Sequence, residues 1–273
     1  MKAAGSDVRQ PFSLHQRTIP IKVYIENVKE GENMAGHSKW KNIQKRKNAQ
    51  DAKRGKIFMK LAKEIYVAAK EGGADPEANS ALRLVIDKAK GANMPNENID
   101  RAIKKAAGSL DGSSYEEITY EGYGPSGIAV MVECVTDNKN RTASNVRTAF
   151  NKNGGSLGES GCVAFLFERK GFIAIDRTDR QIEEEELMLD VLEAGGEELQ
   201  TEEDQYEVLT EPERFEKVKT ALESKYPISS AEVTMLPKTY ADADDQAVEK
   251  LEKLIDILED DDDVQEVYTN YRS

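Results

Sequence analysis

The hydrophobic period of this 273-residue chain changes near residue 114, and that change limits what each part can fold into. Before it, apolar residues recur at helical spacing; after it, they alternate or run in short blocks as strands do. From Arg54 to Glu71, the residues Ile57, Phe58, Leu61, Ile65 and Ala68 fall on one arc of an amphipathic helix that Gly72-Gly73 ends. Asp75-Pro76-Glu77 then reads as N-cap, N1 and N2 of a second helix carrying Leu82, Val85, Ile86 and Ala89. Pro95 to Ala107, with Ile99, Ile103 and Ala106 at helical spacing, is a third. Three short helices that each bury one stripe make a small bundle.

Beyond residue 114 the pattern predicts strands at Glu117 to Tyr123 and Ile128 to Thr136, a helix at Thr142 to Asn153 and a strand at Cys162 to Arg169. From Gly171 a complete βαββαβ series follows: strand Phe172 to Asp176, helix Glu183 to Glu193, strands Glu197 to Thr201 and Gln205 to Thr210, helix Pro212 to Ser224, strand Ala231 to Pro237. That series closes a ferredoxin-like unit by itself. The ββαβ part before it lacks one helix and one strand, which Asp245 to Glu259 and Val264 to Tyr271 supply. The expected fold class is therefore α+β: an N-terminal three-helix domain followed by two ferredoxin-like α/β domains, one inserted in the other. The expected boundaries are 34–113 for the helical domain, 114–170 plus 238–273 for the middle domain, and 171–237 for the insert.

Residues 1–33 show neither period and read as an unstructured leader. Lys29-Glu30-Gly31 can be encoded by a purine-rich ribosome-binding sequence just ahead of Met34. The hypothesis is that translation of the natural protein starts at Met34, and an intact mass of the native protein tests it.

Charge is distributed unevenly. The chain as a whole carries −13, yet Ala35 to Lys70 holds eleven Lys or Arg against two acids, a net of +9. Asp176 to Ser273 holds thirty-one acids against ten bases, a net of −21. Such opposite ends attract opposite partners, and the basic end is the one expected to touch phosphate. No apolar run reaches the roughly 20 residues of a membrane span, and the N-terminus lacks a secretory apolar core. Cys134 and Cys162 sit singly in apolar runs, as reduced cysteines packed like small hydrophobes do. These readings place the chain in the cytoplasm.

The candidate nucleic-acid-binding residues are His37, Lys39, Trp40, Lys41, Lys45, Arg46, Lys47, Lys53, Arg54, Lys56, Lys60 and Lys63. So many like charges are costly unless a polyanion lies nearby, and cations that displace counterions bind phosphate strongly without reading sequence. Trp40, the sole tryptophan, fits equally a base-stacking platform and a hydrophobic anchor. Spacing alone does not separate DNA from RNA.

Three further segments carry glycines or anion-binding backbone. Glu121 to Gly127 (EGYGPSG) reads as a tight turn with positive φ, whose NH groups could also meet a phosphate. Asn138, Asn140, Arg141 and Thr142 open a helix, where an anion or an Asn140 cap would serve. Asn153 to Gly161 lacks the Lys-Ser/Thr ending of a P-loop.

MAGHSKW with its lysine-rich run, followed in order by GYGPSG, NRT and NGGSLGESG, resembles the YebC family from Met34 to about Tyr268. Members are described as probable transcriptional regulators, and mitochondrial relatives as translational activators of cytochrome c oxidase subunit I. The resemblance implies helical, α/β and α/β domains and a nucleic-acid-facing role.

Enzyme chemistry lacks an inventory. The two histidines are His15, in the leader, and His37, so a His-based triad or metal site would rest on His37 alone. The acidic runs Glu183 to Glu186 and Asp260 to Asp263 lack the spaced pattern of a calcium loop and read as solvated helix ends. The reading is a non-enzymatic regulator of gene expression without cofactor or metal, of the YebC transcriptional type. Its nucleic acid is DNA, or rRNA if the chain is a ribosome-associated translation factor. Its acidic domains would shape specificity or recruit the ribosome or a polymerase. A protein-interaction scaffold is the third reading, recognisable by weak nucleic-acid binding at any salt.

Overall fold

The structure is a computed structural model, which describes residues 54–108, 114–177 and 182–272, with the Arg54 side chain excepted. These residues lie within one compact unit, Gly36–Ser273. The leader 1–33 falls outside the described residues.

Helix α1 spans Arg54–Gly72, α2 Ser80–Gly91 and α3 Asn96–Ala107. Leu61, Ile65 and Tyr66 of α1, Leu82 and Ile86 of α2, and Ile99 and Ala102 of α3 are buried in one cluster, the bundle that the helical period predicts. The second helix starts four residues later than expected. Asp75 to Asn79 forms a turn instead, with Asp75 carbonyl accepting from Ala78 and Asn79 NH groups. The N-cap is Asn79, which accepts from Leu82 NH at 3.0 Å and donates to the Ala68 and Gly73 carbonyls at 2.8 Å. That one buried amide stops α1 and starts α2.

Two four-stranded antiparallel sheets follow, so the fold is α+β. The first contains β1 (Glu116–Tyr123), β2 (Ala129–Thr136), β3 (Ser156–Leu157) and β8 (Val264–Thr269), in the order β3-β1-β2-β8. Helices α4 (Lys139–Lys152) and α7 (Asp245–Glu259) cover one face. The second contains β4 (Phe167–Asp176), β5 (Glu198–Thr201), β6 (Gln205–Thr210) and β7 (Ile228–Pro237), with helices α5 (Glu184–Ala194) and α6 (Phe215–Glu223). Its order, β5-β6-β4-β7, is the ferredoxin-like one.

One expected strand is absent as such. Residues 164–166 form a 3-10 turn and Phe167 begins β4, which pairs along its length with β7 of the second sheet, Phe167 opposite Pro237. The fourth strand of the first sheet is the two-residue β3, too short to register in a hydrophobic period.

Strand β2 explains why its sequence runs apolar rather than alternating. Val130, Val132 and Cys134 face α4 and α7. Ala129 and Met131 face Val163, Phe167 and Met235, while Val135 packs into the helical bundle. A strand covered on both faces has no polar side to show.

The glycines of EGYGPSG divide their work. Gly122 lies inside β1, where an added Cβ would sit 2.5 Å from the Ser156 carbonyl oxygen and 2.7 Å from the Phe150 ring. Positive φ occurs only at Ser126 (58°) and Gly127 (76°) of this segment.

Candidate nucleic-acid interface

Lys56, Lys60 and Lys63 recur at i, i+4 and i+7 on α1, so they share one face. That face meets the C-terminal end of α7. Lys56 Nζ donates to the Asp260 carbonyl and Oδ1, both at 2.8 Å. Lys60 Nζ donates to the Glu259 carbonyl at 2.7 Å. Lys63 Nζ donates to the Asp262 carbonyl at 2.7 Å and to Asp263 Oδ1 at 2.8 Å. A helix C-terminus leaves carbonyls without intrahelical partners and carries a partial negative charge, so three ammonium groups there are both donors and counter-charges.

Lys56, Lys60 and Lys63, named as candidate phosphate ligands, hold their own chain's acidic turn in this structure, and the Lys63 side chain is only 14% exposed. In the run Asp260 to Asp263, Asp260 and Asp262 stay 51% and 58% exposed, while Asp263 is buried at 5%. Burial lowers the Lys60 pKa despite the nearby Glu266 and Glu259 carboxylates.

Asp263 is the centre of the joint. Its Oδ2 accepts from Arg141 Nη2 at 2.6 Å, Thr142 Oγ1 at 2.9 Å and Thr136 Oγ1 at 3.2 Å, so the carboxylate joins α1, β2 and α4. Burial alone would raise its pKa, but the hydrogen bonds from Lys63, Arg141 and Thr142 outweigh it and hold the group at about 2. The anion at the start of α4 is therefore an internal carboxylate. The cap there is Asn138, accepting from Arg141 NH at 3.1 Å, rather than Asn140. Lys88 adds a second joint, reaching Glu64 at 3.1 Å and Glu266 at 3.2 Å. Burial opposes its charge, yet the two carboxylates raise its pKa.

The loop after β3 also holds an internal anion. Glu121, 5% exposed, accepts from the NH groups of Gly161, Val163 and Ala164 at 2.7, 2.8 and 2.7 Å. The backbone concavity that a phosphate would need is filled by this side chain.

His37, Lys39, Trp40, Lys41, Lys45, Arg46, Lys47 and Lys53 lie outside the described residues, as does the Arg54 side chain. Among described cations of the bundle, Lys70 stands 5.5 Å from the Tyr66 ring centroid and Lys105 stands 5.1 Å from that of Tyr115; both lysines are exposed. Sequence reasoning gave no weight to α4 beyond its first turn. Its 14 residues, KNRTASNVRTAFNK, contain four bases and no acid, a signal that was readable once its start was placed at Lys139.

The TACO1/YebC N-terminal domain model matches residues 38–109, and the model of the TACO1/YebC second and third domain matches residues 115–271. The chain belongs to the TACO1/YebC family. One TACO1/YebC relative, "Probable transcriptional regulatory protein YrbC" of Bacillus subtilis, is 93% identical over 240 residues, which are 88% of this chain and 100% of that protein. A "Probable transcriptional regulatory protein" of Bacillus licheniformis is 74% identical over 238 residues, 87% and 99% of the two chains. The crystal structure of a conserved hypothetical protein from Aquifex aeolicus is similar at 49% identity with a TM-score of 0.71, covering 81% of this chain and 91% of that one. No helix among the described residues is long and apolar enough to cross a membrane.

Proposed function

We propose that this TACO1/YebC protein is a cytoplasmic, non-enzymatic regulator of gene expression that binds nucleic acid through the basic segment leading into α1, as a transcriptional regulator of the kind its relatives are named for. The observation that carries the reading is how the acids that meet α1 are spent. Asp260 and Asp263 are bonded to Lys56 and Lys63, so part of the local negative charge is offset where α1 is anchored. Residues 39–54 themselves carry seven Lys or Arg against Asp51 alone. A cationic segment tethered to an otherwise acidic body concentrates polyanion at one end and repels it elsewhere.

The test is fluorescence anisotropy of the full chain with labelled 20-mers of single-stranded RNA and duplex DNA. Neutralising about six phosphates implies a loss on the order of a thousandfold between low and physiological salt, and Lys45→Glu, Arg46→Glu and Lys47→Glu together should abolish binding. A flat salt response sinks the reading. DNA binding that survives competitor RNA supports transcription; the reverse order, with co-sedimentation on ribosomes, moves the action to rRNA.

A further inference from the structure

Helix α4 is basic in a chain that is acidic overall. Lys139–Lys152 carries Lys139, Arg141, Arg147 and Lys152 and no carboxylate, in a chain of 51 acids. Its inner face is settled by burial of Thr142, Val146, Ala149 and Phe150. Its outer face presents Ser144, Arg147, Asn151 and Lys152, all exposed. Helical spacing puts Ser144, Arg147 and Asn151 on one ridge, at i, i+3 and i+7, with Lys152 beside it.

The bases at the two ends of α4 have different fates. Lys139 is paired with Glu116 at 2.6 Å, and Arg141 with Asp137 and Asp263 at 2.9 and 2.6 Å. Arg147 and Lys152 have no carboxylate partner among the described residues. The helix N-terminus is also occupied, by the Asn138 cap and Asp263. Any anion would meet the side of the helix rather than its end.

The position of α4 supplies the second argument. The turn 260–263 is held by Lys56 and Lys63 of α1 on one side and by Arg141 and Asn145 of α4 on the other, Asn145 Nδ2 reaching Asp261 Oδ2 at 2.8 Å. Two basic helices thus flank one acidic turn whose Asp260, Asp261 and Asp263 carboxylates are all engaged. Lys56, Lys63 and Arg141 offset part of the turn's negative charge where a polyanion would cross it.

We propose that the outer face of α4, centred on Ser144, Arg147, Asn151 and Lys152, is a second site for a nucleic-acid backbone. Its occupant is the nucleic acid of the function proposed above, on which the inference rests. Arginine, lysine, asparagine and serine are the side chains that donate to phosphate and sugar oxygens, which fix register without reading bases. Two weak sites on one strand raise its affinity through effective concentration.

The experiment compares the full chain, Arg147→Ala/Lys152→Ala, and a charge-matched control on the second sheet's helix region, Arg214→Ala/Lys217→Ala, using the labelled RNA and DNA 20-mers across a salt series. Because Arg147 and Lys152 are exposed and have no carboxylate partner among the described residues, near-ultraviolet circular dichroism should stay unchanged. The expected result is about tenfold weaker binding at physiological salt for the α4 variant, with the salt slope shallower by roughly 1.4 to 1.8, the loss of two phosphate contacts. The control should bind within about twofold of wild type. Unchanged affinity and slope in the α4 variant, with binding still lost in Lys45→Glu/Arg46→Glu/Lys47→Glu, overturns this inference and leaves the function standing. An equal loss in the control also overturns it, since the effect would then be the overall field. A wild-type chain that binds neither probe overturns both.

Discussion

Lys63 Nζ lies 2.8 Å from Asp263 Oδ1, and the two side chains are 14% and 5% exposed, so the basic helix is fastened to the middle of the chain by a largely desolvated ion pair 200 residues apart in sequence. Removing one member of such a pair leaves the other uncompensated. Asp263→Ala, which leaves Lys63 only the Asp262 carbonyl and Arg141 only Asp137, should cost about 3 kcal/mol in urea unfolding. Lys63→Met should cost less, because Arg141, Thr142 and Thr136 still satisfy the carboxylate. A loss under about 0.5 kcal/mol for Asp263→Ala would show that the joint contributes nothing.

Acid should loosen the same joint. The Asp263 carboxyl is held at about 2 against an ordinary 3.8, so its contribution is fully present above about pH 4 and is lost as pH falls toward 2. Glu121 acts in the same direction: burial would raise its pKa, and three backbone NH groups overcome that and lower it. Urea midpoints should fall between pH 5 and pH 2.5, with a shallower decline in Asp263→Asn.

Lys56 should matter more to the joint than to ligand. Lys56→Gln removes its bond to Asp260, so it should leave nucleic-acid affinity within about threefold while weakening protection of amide hydrogens at the end of α7. A large affinity loss with unchanged exchange would return this lysine to the phosphate-binding set.

Gly122→Ala should be more damaging than an ordinary strand substitution. The new Cβ would press on the Ser156 carbonyl and the Phe150 ring, and overpacking of this kind costs about 1 to 3 kcal/mol. Equal stability would mean that β3 can move aside freely.

The cysteines should differ in reactivity. Cys134 is 2% exposed, and burial pushes its thiol up to about 12; Cys162 is half-buried, with its thiol also raised by burial. A thiol reagent at pH 8 should modify Cys162 slowly and Cys134 only on unfolding. Two equal fast phases in the native protein would contradict the packing of β2.

The three helices, the βαββαβ order and the uneven charge were legible in the amino-acid sequence because each rests on local spacing: apolar residues at 3.6 or 2, turn residues between them, and a count of charges. Sequence alone also supplied the motifs that place the chain in its family. It could not say which lysines of the basic helix are free, because Lys56 and Lys63 find their partners some 200 residues away, and no local pattern encodes a contact of that separation. The same holds for Glu121, whose acceptors' donors come from a loop 40 residues on, and for β4, whose pairing with β7 pulled Phe167 into the second sheet. Tertiary structure made those decisions: a buried carbonyl, carboxylate or ammonium must find a partner wherever the chain brings one, and the nearest in space is seldom the nearest in sequence.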